Sequence, residues 1–65
     1  MKITYFAETD TLLLDFGDRR IVETRDVSED VLVELDENGR LVTMTIEHAK
    51  SQTDVREFAY QFAAA

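Results

Sequence analysis

"VLVELDENGRLVTMTI", residues 31 to 46, decides how the rest of the chain is read. Two runs of alternating apolar residues flank Asn38-Gly39, the dipeptide that most strongly signals a two-residue hairpin loop. With that loop, Glu37 faces Arg40, Leu35 faces Val42, Val33 faces Met44 and Val31 faces Ile46. Three apolar pairs then share one face, and burial of one face is what specifies register. A three-residue loop with a glycine bulge pairs Val33 with Thr43 and is the poorer match. The stretch also spaces oxygen-bearing side chains (Glu34, Asp36, Asn38, then Gly39) like the start of a calcium loop. It fails where such a loop needs its strongest ligands. Position one is Glu34 rather than Asp, and position twelve is Thr45 rather than a bidentate Glu.

Working outward, "KITYF", "TLLLDF", "RRIVETRDV", "VLVEL" and "LVTMTIE" are short runs rich in β-branched, aromatic and aliphatic residues, separated by polar turns. No connection is long enough for a crossover helix, so the pattern is a meander of hairpins. Gly17-Asp18 is expected to close the second hairpin, glycine supplying a positive φ. Asp15 would then face Arg20, Leu14 face Ile21 and Leu13 face Val22, all favourable cross-strand pairs.

From Lys50 the period changes. Val55, Phe58, Ala59 and Phe62 recur at helical spacing, with Ser51 and Thr53 as N-cap candidates and Asp54 in the first turn. The fold expected is α+β: a five-stranded antiparallel β-meander with one C-terminal amphipathic helix packed on one face. It forms a single domain over residues 1–65, with strands within 2–47 and the helix over about 51–63. Leu12 and Leu14 point to one face of their strand and Leu13 to the other. One helix covers one face only, so Leu13 beside Val22 is the expected self-association patch, in a homo-oligomer and most simply a dimer.

The chain has 65 residues, no cysteine and a net charge of −7, from 14 acidic and 7 basic residues. Disulfides and thiolate metal sites are excluded. The charge argues against direct nucleic-acid binding, whose affinity comes from Lys and Arg on phosphates. It argues likewise against anionic membranes. No signal-peptide h-region and no membrane-length apolar run is present, and a bacterial cytoplasmic protein is expected.

For chemistry the chain is poorly equipped. His48 stands alone, with no nucleophile motif and no ligand cluster beside it, and reads as a junction residue. Asp36 and Glu37 read as solvated turn residues. The only two glycines are turn glycines, so there is no phosphate loop. No enzyme activity, metal or cofactor is expected. The segment that stands out is acidic, Glu23 to Glu37: it carries Glu23, Asp26, Glu29, Asp30, Glu34, Asp36 and Glu37 against Arg25 alone. With the aromatics Phe58, Tyr60 and Phe62 it is the expected contact for a basic protein partner.

The residues also carry a family resemblance. Met1, Lys2, Ile3, Tyr5, Glu8, Asp10 and Leu12, then "VETRDV" at 22–27 and "DENGRLVTMTI" at 36–46, occur in order and at the spacing of the small bacterial proteins grouped as domain of unknown function 2283. The chain resembles that family over residues 1 to about 47. It departs from the pattern at Phe6, where Asp is usual, and beyond residue 47. The resemblance implies an antiparallel sheet with a C-terminal helix, and no established catalytic residues. It also implies that some members, encoded beside small ribonuclease-like toxins, are antitoxin candidates. The expected function is therefore a small acidic protein-binding module, such as an antitoxin neutralising a basic toxin. The alternative is a self-assembling structural protein without a dedicated partner.

Overall fold

The computed structural model describes residues 1–64. Five strands form one antiparallel sheet: β1 Lys2–Phe6, β2 Thr11–Asp15, β3 Glu23–Asp26, β4 Val31–Leu35 and β5 Leu41–Glu47. All five lie within the runs picked out by their composition. Their order across the sheet is β1-β2-β5-β4-β3, so the sheet is not a meander.

The hairpin expected between the second and third strands does not form. Leu13 stands opposite Thr4 on one side and Thr45 on the other. Val22 is far from Leu13 in the sheet and donates its amide to Leu35 O at 2.9 Å. The reason is burial. β2 is apolar on both faces and gains most between two neighbours, where Leu12 meets Ile46 and Leu14 meets Met44. β3, "ETRD", is short, charged and fully exposed, which suits a sheet edge. Residues 16–22 therefore cross the ends of β5 and β4. They are held by Phe16 N to Val42 O at 2.8 Å and by the Arg19 guanidinium, which pairs with Asp36 at 3.0 Å and donates to Leu41 O.

The β4–β5 hairpin keeps Val31 opposite Ile46 and Val33 opposite Met44, but its turn is not the two-residue loop. Gly39 N donates to Asp36 O at 3.0 Å and Asp36 N to Arg40 O at 2.9 Å, with Gly39 at φ 76. That is a three-residue loop with a left-handed glycine. Its one-residue slip is undone by a bulge: Glu34 faces Thr43, and Leu35 faces Leu41. Two irregularities cancel, and the apolar register survives.

The C-terminal helix expected over about 51–63 is absent, so the protein is all-β rather than α+β. His48 takes a left-handed backbone (φ 53) and opens a single 3-10 turn, Ala49–Ser51; residues 54–64 carry no helix or strand. One cap candidate, Ser51, and the first-turn acid, Asp54, are otherwise engaged. The Ser51 hydroxyl donates back to His48 O at 2.7 Å, and Asp54 accepts the Arg56 amide at 2.9 Å in a local turn. A segment this short, with Thr53, Val55 and three aromatics, has too little intrinsic helicity to persist without packing of its stripe.

The consequence is a one-layer molecule. Its radius of gyration is 12.9 Å, against about 10.7 Å for a compact chain of this length. Its extents are 35 × 32 × 19 Å. Among the described residues no large side chain is fully buried; Val33, Leu35, Val42 and Ala49 form the core. The first three of these lie toward the end of the sheet that the crossover traverses.

Candidate functional site

Strand alternation sorts the sheet into two unlike faces. On one, Ile3, Leu14, Met44 and Val33 form one row across the strands, and Tyr5, Leu12, Ile46 and Val31 form the next. On the other, Leu13 and Leu32 stand among Thr4, Thr43, Thr45 and Glu34. The apolar face is only partly covered. All of its row members except Val33 keep partial solvent contact. The chain's own C-terminal part reaches only its β1–β2 margin, where Val55 and Phe58 line a hollow with Ile3, Tyr5 and Leu12. Phe58 is nonetheless 68% exposed, and beyond it Tyr60 is 72% and Phe62 80% exposed.

The expected self-association pair is not brought together. Leu13 is half-buried on the polar face, and Val22 is an exposed residue on the approach to the edge strand. The partner-binding candidates are likewise dispersed. Glu23 is paired by Arg25, whose Nε donates at 2.9 Å. Glu34 accepts the Thr43 hydroxyl at 2.8 Å on the polar face. Asp26 ends the edge strand, while Glu29 and Asp30 lie in the β3–β4 turn.

What the topology gathers instead is acidity at one end of the sheet. The β1–β2 turn, the β3–β4 turn and the end of β5 all lie there. They bring Glu8, Asp10, Asp26, Glu29, Asp30 and Glu47 to one rim. The opposite end carries Arg19, Arg20 and Arg40 among its acids. A seven-residue strand pairing with β2 on one side and β4 on the other causes this, and no local window shows it.

Two of the rim acids clasp the chain as it leaves β5. Asp10, itself left-handed at φ 55, accepts the Tyr5 hydroxyl at 2.7 Å and the Lys50 amide at 3.1 Å on one carboxylate oxygen. Its carbonyl accepts the Ala49 amide at 3.0 Å. Asp30 accepts the Glu47 amide on its carbonyl at 2.8 Å, and its carboxylate lies 2.9 Å from His48 Nδ1. Ala49 is completely buried between these grips. The Tyr5 hydrogen bond lowers the Asp10 carboxyl below its ordinary range, and the same bond raises the Tyr5 phenol. Hydrogen bonding and then the charge of Asp30 raise His48 above an ordinary imidazole. Asp36 is a third hub. It accepts the Asn38 and Arg40 amides at 2.9 and 3.0 Å and is held low chiefly by the Arg40 amide.

These contacts position backbone. His48 is an exposed junction residue, and among the described residues its ring meets the Asp30 carboxylate and no hydroxyl or thiol. Among the described residues no three His, Cys, Asp or Glu side chains are placed to hold a metal ion. Among those residues no helix is long and apolar enough to cross a membrane. Sequence reasoning missed Asp10 and Asp36 as hubs. The available signal was their turn position, since Asp bonds nearby amides and tolerates the left-handed region.

No curated protein and no solved structure matches the chain. A family model does: that described as Protein of unknown function (DUF2283), over residues 2–50. The match begins with β1 and ends at the Lys50 amide held by Asp10, so it spans the whole sheet and its clasp and leaves out the aromatic segment. The chain belongs to the DUF2283 family.

Proposed function

We propose that this protein is a small acidic protein-binding module that works without chemistry of its own. One observation carries the reading: the apolar face of the sheet is only partly covered by its own chain, and three aromatics at and beyond its margin stay mostly exposed. Apolar surface gathered in this way marks interaction sites. The net charge of −7 and the acidic rim favour a basic partner. Neutralisation of a basic toxin is the specific form of the role that the charge suits. A self-assembling protein with no dedicated partner is the second reading, favoured by the same face.

The test is native mass spectrometry on the full chain purified gently from its host, beside the Glu29→Lys/Asp30→Lys variant. A small basic protein that accompanies the wild type and leaves the variant, with the sheet intact, supports the module. A bare homo-oligomer supports self-assembly instead. A bare monomer overturns both.

A further inference from the structure

We propose that the open part of the apolar face is covered by the C-terminal aromatic segment of a second copy, exchanged reciprocally about a twofold axis. This rests on the reading above that the face docks protein, and it names the occupant.

Each chain holds a seat without a cover and a cover without a seat. The seat is the β5–β4 side of the apolar face, Val31, Met44 and Ile46, which keep partial solvent contact; residues 53–58 of the same chain line hollows with Ile3, Tyr5, Leu12 and Leu14, on β1 and β2. The cover is "FAYQF", residues 58 to 62. Phe58, Tyr60 and Phe62 alternate with Ala59 and Gln61. Laid out as a strand, the segment turns all three aromatics to one side at intervals of roughly 7 Å. The same residues read at helical spacing give a weaker stripe, and no helix forms.

Area favours a second copy, and the charge distribution permits one. The accessible surface is 5343 Å², against roughly 4,200 Å² for a compact protein of this mass. That excess, roughly 1,100 Å², is of the size that one partner contributes to a stable interface, about 800 Å². A chain of net charge −7 meets its own kind at a cost wherever acids face acids. The segment from Phe58 to Ala64 carries no charge, and of the two apolar rows the first ends at Arg25, which Glu23 pairs, and the second at Val31. The acidic rim stays outside such a contact. The chain's own segment leaves over the β1–β2 margin, so the partner's has the β5–β4 side free. A reciprocal exchange closes at two copies, because each seat is then filled.

Sedimentation velocity on the pure full chain tests this, beside the Tyr60→Ser/Phe62→Ser variant. Both substituted residues are exposed and lie outside the sheet, so the fold does not depend on them. Isotope-filtered NMR on a mixture of labelled and unlabelled chains reads the contact itself. The expected result is a dimer with Phe62-to-Met44 contacts between chains. The variant's dissociation constant rises roughly a hundredfold, as removal of two interface aromatics from each chain implies. Amide protection in the strands stays unchanged. A dimer of undiminished affinity in the variant overturns the exchange. A wild-type monomer whose face binds a hydrophobic dye overturns the second copy but keeps the face as a docking surface for another protein. A monomer whose own aromatics protect its own face overturns both readings.

Discussion

His48 Nδ1 and Asp30 Oδ1, 2.9 Å apart, tie the exit of β5 to the β3–β4 turn. Asp30, Glu47 and Asp10 all face the ring and all raise its proton affinity. A group raised on folding contributes stability that is fully present below its unfolded value, about 6.5 for imidazole. That contribution is lost as pH climbs through the higher folded value. The thermal midpoint is thus expected to fall modestly between about pH 6 and pH 8, and Asp30→Asn to flatten that slope. An NMR titration of His48 checks it directly: the midpoint stands above an ordinary imidazole in the wild type and returns toward it in Asp30→Asn.

The two glycines are expected to behave differently. Gly39 sits at φ 76, with open space where a Cβ would lie. Gly39→Ala costs about 1 kcal/mol through backbone strain alone, and Gly39→Asn less. Gly17 is not left-handed, and an added Cβ meets only the Arg19 side chain at ordinary contact distance. Gly17→Ala is neutral or slightly stabilising. Urea denaturation of the two alanine variants gives the contrast, and equal losses would refute it.

Asp36 is the next test, because its two oxygens do different work. Oδ1 takes the Asn38 and Arg40 amides and Oδ2 takes Arg19. Asn keeps an acceptor for the turn and gives up the ion pair, whereas Ala gives up both. The melting temperature should drop by several degrees in Asp36→Ala and by a smaller step in Asp36→Asn. The carboxyl is lowered on folding, so its contribution is present above the ordinary carboxylate value, about 3.9. It fades as pH falls through the lower folded value, and calorimetry below pH 4 should show the wild type and Asp36→Asn converging.

Sheet order is checked by proximity chemistry. A Leu13→Cys/Thr45→Cys pair lies directly across β2 and β5 and should cross-link rapidly with a short bifunctional thiol reagent. A Leu13→Cys/Val22→Cys pair should not. The reverse outcome would restore the local hairpin between β2 and β3.

Much of this architecture is written in local pattern, and the parts that are not share a cause. Alternation placed all five strands, and apolar pairing set Val33 on Met44 through an irregular turn. Leu14 with Ile21 looked as good a pair as Leu14 with Met44. Only the exposure of "ETRD" at an edge separates the two arrangements, and exposure is a property of the finished sheet. The helix was misread because Phe58, Ala59 and Phe62 fit a period of 3.6, while Phe58, Tyr60 and Phe62 fit a period of two equally well. Without a surface to pack on, neither period wins. The acidic rim was invisible because it is assembled from two turns and a strand end that are distant in the chain. The expected acidic run, Glu23 to Glu37, is instead spread over an edge, two turns and the polar face.

The crossover also sets a clock. β3, β4 and β5 join through short hairpins, and so do β1 and β2, so each piece gathers by local closure. Only the β2–β5 seam unites them, and it closes a loop that spans both intervening strands. Long closures are slow because chain entropy is lost before contacts repay it. The triple-leucine strand must therefore wait, unpaired on one side, until the last strand of the sheet has been made.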